Sequence, residues 1–215
     1  MTRAPIRLDI FSDPVCPWCY VGKANLDKAL GQHPDHPFQI QWHPFQLNPE
    51  MPPEGVTKRA YLEEKFGGKA RVDAVHERLR EAARGAGVDM DPDKPRRMPN
   101  TLDAHRLIHW AGIEGVQQTV VDALMRAYWV EGRDIGDLDT LADIAFESGM
   151  DRDATLRLLQ SDADADDIQA RDQDARHKGV NSVPTFLIAQ QYVVSGAQPP
   201  ETWEKVIAEL AGRAE

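Results

Sequence analysis

Both cysteines of the chain lie in one short segment, Phe11-Ser12-Asp13-Pro14-Val15-Cys16-Pro17-Trp18-Cys19-Tyr20. An apolar run, Leu8, Ile10 and Phe11, precedes them, and helical character follows from Cys16 to Leu30. A buried strand that turns directly into a helix opened by Cys-X-X-Cys admits few folds. Far downstream, Asn181-Ser182-Val183-Pro184-Thr185-Phe186-Leu187 places a proline turn just before another apolar strand. A dithiol at a helix start and a proline loop before a strand point to thiol–disulfide exchange.

The order of elements supports that reading. Arg7 to Ser12 reads as a strand, and Gly31 reads as the stop of the first helix. Phe38 to Pro44 alternates apolar and polar residues, as a second strand does. Strand, helix, strand implies a parallel βαβ unit. Pro49, Pro52 and Pro53 then prevent the strand from continuing. From about residue 57 to 178 the pattern is helical throughout. Asn100-Thr101 starts one helix, and Val116 to Val130, Leu138 to Phe146 and Ala154 to Leu159 give amphipathic stretches. The Asp-rich run from Asp162 to Asp174 reads as a solvated helix face. Strand pattern returns at Thr185 to Ile188 and Tyr192 to Ser195, a hairpin, before a last helix opened by Pro199-Pro200. Trp203, Val206, Ile207 and Leu210 form the apolar face of that helix.

Charge excludes some partners. Lys plus Arg number 25 against 35 Asp plus Glu, a net charge of −10. Such a chain is a poor non-specific ligand for nucleic acid or an anionic membrane surface. Met1 to Arg7 holds no apolar signal core, and no run approaches a membrane span, so the expected compartment is the cytoplasm. There, two cysteines at this spacing serve redox chemistry better than a structural disulfide.

A free thiol of pKa ~8.5 is only about 3% ionised at neutral pH, and the thiolate is the nucleophile. A helix dipole contributes roughly 0.3–1 kcal/mol to a terminal anion, up to ~2 in a sheltered site. The remaining activation must come from first-turn N–H groups and the second thiol. Pro17 fixes φ in the first turn and gives up a donor without a helical partner. Cys16 is therefore read as the exposed attacking sulfur and Cys19, one turn inward, as the sheltered resolving one. Trp18 between them offers a flat apolar contact; Trp42, Trp110, Trp129 and Trp203 read as packing residues. Lys23 and Asp13 lie close enough in sequence to tune Cys16 in opposite directions. A zinc site needs four ligands, and no other Cys exists; His33, His36 and His43 sit on a turn and a strand, so no metal is expected, with zinc shared across a dimer as the open alternative.

With these segments in view, the chain resembles the thioredoxin superfamily, and within it the DsbA-like group of the cytoplasmic FrnE type. The resemblance is carried by residues 12–22, 44–51, 99–107, 179–186 and 194–199. It implies an α/β thioredoxin-like fold, residues 1–50 and 179–215, with a large all-helical insertion, 51–178. It implies Cys16 as nucleophile, Cys19 as resolving thiol and Pro184 as a cis proline. It also implies Val183 as the residue whose backbone pairs with an extended substrate chain. Asn100 and His105 match a family segment near the cleft, which makes them candidate substrate-binding residues; Asn100 reads equally as a helix N-cap, and His105 as a packed helix histidine.

The expected function is a thiol–disulfide oxidoreductase or disulfide isomerase that exchanges with protein or small-molecule thiols and disulfides. No bound organic cofactor is expected, with glutathione as a candidate co-substrate. Two other readings stay open. One is a glutathione-dependent transferase or isomerase of an aromatic small molecule, as in kappa-class transferases and 2-hydroxychromene-2-carboxylate isomerases; those typically carry Ser where Cys16 stands. The other is a peptide-binding module with an incidental or metal-binding dithiol.

Overall fold

The computed structural model describes the backbone of residues 5–212 and side chains through Leu210. Met1 to Ala4, in the stretch read above as free of a signal core, and the last three residues of the C-terminal segment lie outside the described residues.

Strand β1 (Ile6–Ser12) leads into helix α1 (Pro17–Gln32) and then strand β2 (Phe38–Pro44), which pairs parallel to β1 with Ile6 opposite Phe38 and Ser12 opposite Pro44. Leu8 and Ile10 are fully buried in the hydrophobic core, and β1 has a strand neighbour on both edges. α1 runs to Gln32, past Gly31, and the His33 N–H closes it on the Leu30 carbonyl at 3.0 Å.

Strands β5 (Thr185–Ile188) and β6 (Tyr192–Ser195) complete the sheet in the order β2-β1-β5-β6. β5 is antiparallel to β1, with Ile10 opposite Phe186. The last helix, α9 (Pro200–Gly212), packs on α1, and Trp203 meets Phe186 edge-on at 4.6 Å.

In the chain, between β2 and β5, come helices α2 (Lys58–Phe66), α3 (Lys69–Ala86), α4 (Leu102–Ile113) and α5 (Gln117–Arg126). A π-helical turn, Ala127–Glu131, extends α5. Then come α6 (Leu138–Glu147), α7 (Arg152–Leu159) and α8 (Ala165–His177). Asp137 and Asp151 cap α6 and α7 by accepting from the N–H groups of Thr140 and Ala154. The stretch is not helical throughout: two-residue strands β3 (Val56–Thr57) and β4 (Arg97–Met98) pair antiparallel within it. A two-residue strand leaves no periodicity in a sequence.

The helices share one core with the sheet. Trp129, on the π-helical turn, is buried and donates its indole N–H to the Pro14 carbonyl at 3.0 Å. That contact sits two residues before Cys16. Among the described residues no helix is long and apolar enough to cross a membrane.

Candidate active site

Cys16 occupies the N-cap of α1 with extended backbone, and Pro17 holds the first helical position. The N–H groups of Cys19 and Tyr20 both turn back to the Cys16 carbonyl, at 3.0 and 3.3 Å, which places the two sulfurs on one side of the first turn. Both thiols are free.

The proline loop closes over them. The Val183–Pro184 bond is cis, and Cys16 Sγ donates to the Val183 carbonyl at 3.6 Å. Pro184 is anchored from its other side, its own carbonyl accepting from the Gly196 N–H at 2.8 Å. α1 can approach this loop because residue 22 is glycine. A Cβ there would lie 3.0 Å from Pro184 Cγ and 3.2 Å from the backbone of Ala197. Asn25, one turn further along α1, donates to the Gln198 carbonyl at 2.9 Å and fixes the same contact.

Cys16 is only 4% exposed and Cys19 1%. Cys16 is thus not the open thiol expected from its place at a helix end, because the Val183 loop covers it. Burial raises the Cys19 thiol well above its ordinary range. Its hydrogen bond with Cys16, the nearby Cys16 charge and the charge of Asp13 also act upward, against a lowering hydrogen bond from the Asp13 backbone. Trp18 stays 43% exposed, and Leu47 is 39% exposed.

Asp13 lies beneath the dithiol with no exposed surface. Its carboxylate accepts from the N–H of Val15 at 3.3 Å, the N–H of Leu47 at 2.7 Å and the hydroxyl of Thr101 at 3.4 Å. Burial nevertheless outweighs these bonds and pushes its pKa from an ordinary 3.8 up to about 7. Lys23 is turned elsewhere. It is buried and paired with Asp27 at 2.5 Å and with Asp122 on α5, so its charge is spent within the helix contact.

Among the described hydrogen bonds, those of Asn100 and His105 go to other partners than the sulfurs. Asn100 Oδ1 accepts from the Leu102 N–H, the first of α4, at 2.9 Å, and from Gln46 Nε2 at 3.1 Å; its Nδ2 donates to the Met51 carbonyl at 2.6 Å. It ties the 44–51 loop to α4. His105 is buried on α4 and bonded to the Phe45 carbonyl, and burial lowers its pKa to about 4.

One residue of the Asp-rich run, Asp172, is buried rather than solvated. It accepts from the Gln46 N–H at 2.7 Å and from Arg176 Nε at 2.7 Å, while Arg176 also reaches the Gln46 carbonyl. Phe45, Gln46 and Leu47 are therefore clamped from Ser12, His105, Asp172, Arg176 and Asp13. Gly22, Leu47, Trp129 and Asp172 join the site without having stood out in the sequence. A glycine inside a helix directly after the dithiol motif was the one readable signal among them.

The arrangement can perform disulfide exchange: a sulfur at a helix N-terminus, a second sulfur one turn inward, and a buried carboxylate able to hold a proton near neutral pH. Among the described residues no group of three or more His, Cys, Asp or Glu is placed to hold a metal ion.

The family model of the DSBA-like thioredoxin domain matches residues 7–208. The chain is 25% identical over 209 residues to YwbO of Bacillus subtilis (strain 168), described as an uncharacterized protein, covering 95% of this chain and 96% of that one. A solved structure described as the probable DsbA oxidoreductase SCO1869 from Streptomyces coelicolor is 30% identical, with a TM-score of 0.85 over 96% of this chain and 90% of that one. The cytosolic disulfide reductase DsbM from Pseudomonas aeruginosa, solved with GSH, shares the fold at 17% identity and a TM-score of 0.69, covering 95% of this chain and 98% of that one.

Proposed function

The chain belongs to the DsbA-like thioredoxin-domain family of oxidoreductases, and from that premise we propose that it exchanges disulfides with protein or small-molecule thiols through Cys16 and Cys19. The contact between Cys16 Sγ and the Val183 carbonyl carries the reading. It sets the attacking sulfur against the backbone at which an extended substrate chain would pair.

In the reducing direction, the Cys16 thiolate attacks one sulfur of a substrate disulfide. A mixed disulfide forms, and the other substrate sulfur leaves as a thiol. Cys19 then loses its proton and attacks Cys16 Sγ. The Cys16–Cys19 disulfide forms, and the second substrate thiol is released. Run backwards, the same steps oxidise or isomerise a substrate. Asp13 is the proton acceptor for Cys19: it is buried beside that thiol, and its pKa of about 7 lets it take and return a proton at neutral pH. Trp18 and Leu47 supply the apolar surface on which substrate rests.

The dithiol is the whole redox group in this scheme, and no bound organic cofactor or metal takes part. A small thiol such as glutathione closes the cycle, a reading supported by the likeness to DsbM solved with GSH. The same likeness supports a cytoplasmic location. The deciding measurement is the fraction of Cys16–Cys19 disulfide across glutathione buffers, together with insulin reduction. The expected result is a reversible two-electron couple that disappears in Cys16→Ser. A chain that reduces no disulfide, yet turns over glutathione on an aromatic substrate, belongs to the transferase or isomerase class instead.

A further inference from the structure

A cleft of about 810 Å3 runs along the free edge of β2, with α4 and α8 as its far wall. Neither cysteine lines it, nor do Trp18, Val183 or Pro184. The strand order leaves this edge of β2 without a strand neighbour, so its backbone groups need other partners. At Trp42 the partner is a side-chain amide. Gln117 Oε1 accepts from the Trp42 N–H at 2.9 Å, and Gln117 Nε2 donates to the Trp42 carbonyl at 3.3 Å. The amide stands where the peptide group of an added strand would stand. In a parallel pair, both backbone groups of a residue face one edge and the direction alternates along the strand. Ile40, two residues before Trp42, therefore turns its N–H and carbonyl to the same edge, and Ile40 lines the cleft.

Two features set the chemistry of an occupant. His105 lines the cleft and is 2% exposed, and its Nε2 has no hydrogen-bond partner. The ring is bonded to the Phe45 carbonyl through its other nitrogen, so Nε2 is a buried acceptor awaiting a donor. Arg7 and Arg171 also line the cleft, and no described lining residue is Asp or Glu, in a chain of net charge −10. Asp9 engages Arg7 through Nε, while Arg171 spends Nη2 on Asp167 and Nη1 on His109. Among the described contacts, the terminal nitrogens of Arg7 and the Nε of Arg171 are left as donors.

We propose that this cleft binds a short extended peptide segment bearing a carboxylate. The segment pairs with β2 at Ile40, its acidic group lies on Arg7 and Arg171, and His105 Nε2 accepts from one of its N–H or O–H groups. Backbone pairing gives sequence-tolerant affinity, and the guanidinium groups select for acid. The site is separate from the dithiol and does not depend on the redox reading.

The test uses the full-length reduced protein and two cysteine-free peptides, acetyl-Val-Gly-Glu amide and acetyl-Val-Gly-Gln amide, which differ by one carboxylate. Both are followed by proton–nitrogen NMR. The acidic peptide is expected to shift and protect the Ile40 amide and to move the His105 ring signals. The neutral peptide should bind about tenfold more weakly, the scale of one charge-assisted contact. Arg171→Gln should remove most of that difference. Ile40→Pro, tolerable on an edge strand, should weaken binding of the acidic peptide, read from the His105 ring signals, while the fold persists. Equal binding of the two peptides overturns the proposal. So do shifts confined to Trp18 and Val183, or no shift at about 10 mM, where even a complex of ~1 mM Kd is mostly formed.

Discussion

Cys16 Sγ lies 3.6 Å from the carbonyl oxygen of Val183, a residue 167 positions further along the chain. The covering loop makes the order of attack a sharp question, because Cys16 is almost as buried as Cys19. Cys16 nevertheless holds the helix N-cap, while burial and the neighbouring Cys16 both disfavour the Cys19 thiolate. Cys16→Ser should therefore abolish insulin reduction. Cys19→Ser should still attack but fail to resolve, and so accumulate covalent mixed disulfides visible on non-reducing gels. Trapping by Cys16→Ser and not by Cys19→Ser would reverse the two roles.

Asp13 gives a prediction in pH. Its pKa is about 7 folded against an ordinary 3.8, so between those values the folded protein holds more protons than the unfolded chain. Stability from this group is therefore lost as pH rises through that window and stays low above it. Three pKa units correspond to roughly 4 kcal/mol, an upper bound for the gain in Asp13→Asn above neutral pH. The Val15 N–H, left facing an amide, reduces that gain. Urea melts at about pH 5 and about pH 8 should show a smaller pH dependence in Asp13→Asn than in wild type, while resolution of the mixed disulfide slows. An unchanged pH dependence would place the proton elsewhere.

Gly22 sets the distance between α1 and the proline loop. Alanine in a helix is worth about 1 kcal/mol over glycine, but here its Cβ meets Pro184 and the Ala197 backbone. Valine adds two methyl groups to that contact. Gly22→Val should cost about 1–3 kcal/mol, the scale of overpacking, and should weaken peptide-disulfide reduction by moving Val183 away from Cys16. A Gly22→Val protein as stable and active as wild type would mean that α1 and the loop have room to separate.

The sheet was legible from sequence because each of its strands leaves a local mark: an apolar run, an alternation or a turn. The dithiol helix start was legible for the same reason. The burial of Cys16 was not, because its cover comes from Val183, and nothing near residue 16 records that. Asp172 was hidden in an Asp-rich run. Only the arrival of Gln46 from 126 residues away distinguishes it from its solvated neighbours. Lys23 looked like a tuner of the thiols because sequence distance is short; the helix turns it toward Asp122 instead. Composition marks which residues carry charge, but tertiary contacts decide where that charge acts.

His105 matches a family segment and was a candidate for substrate contact, yet it is packed against the Phe45 carbonyl and lines the β2 cleft. Burial lowers its pKa from 6.5 to about 4. Between those values the folded protein binds fewer protons than the unfolded chain, so stability falls as pH drops from about 6.5 towards 4. The full loss is roughly 3 kcal/mol, from 2.5 units at about 1.36 kcal/mol each. His105→Gln removes the titration and keeps an N–H donor for Phe45. Its stability should fall less steeply than wild type between about pH 6.5 and about pH 4.5, and its insulin reduction at neutral pH should stay within about twofold. Chemical denaturation of both proteins across that range, beside the activity assay, checks both halves. A tenfold loss of activity with an unchanged acid profile would return His105 to the dithiol's chemistry.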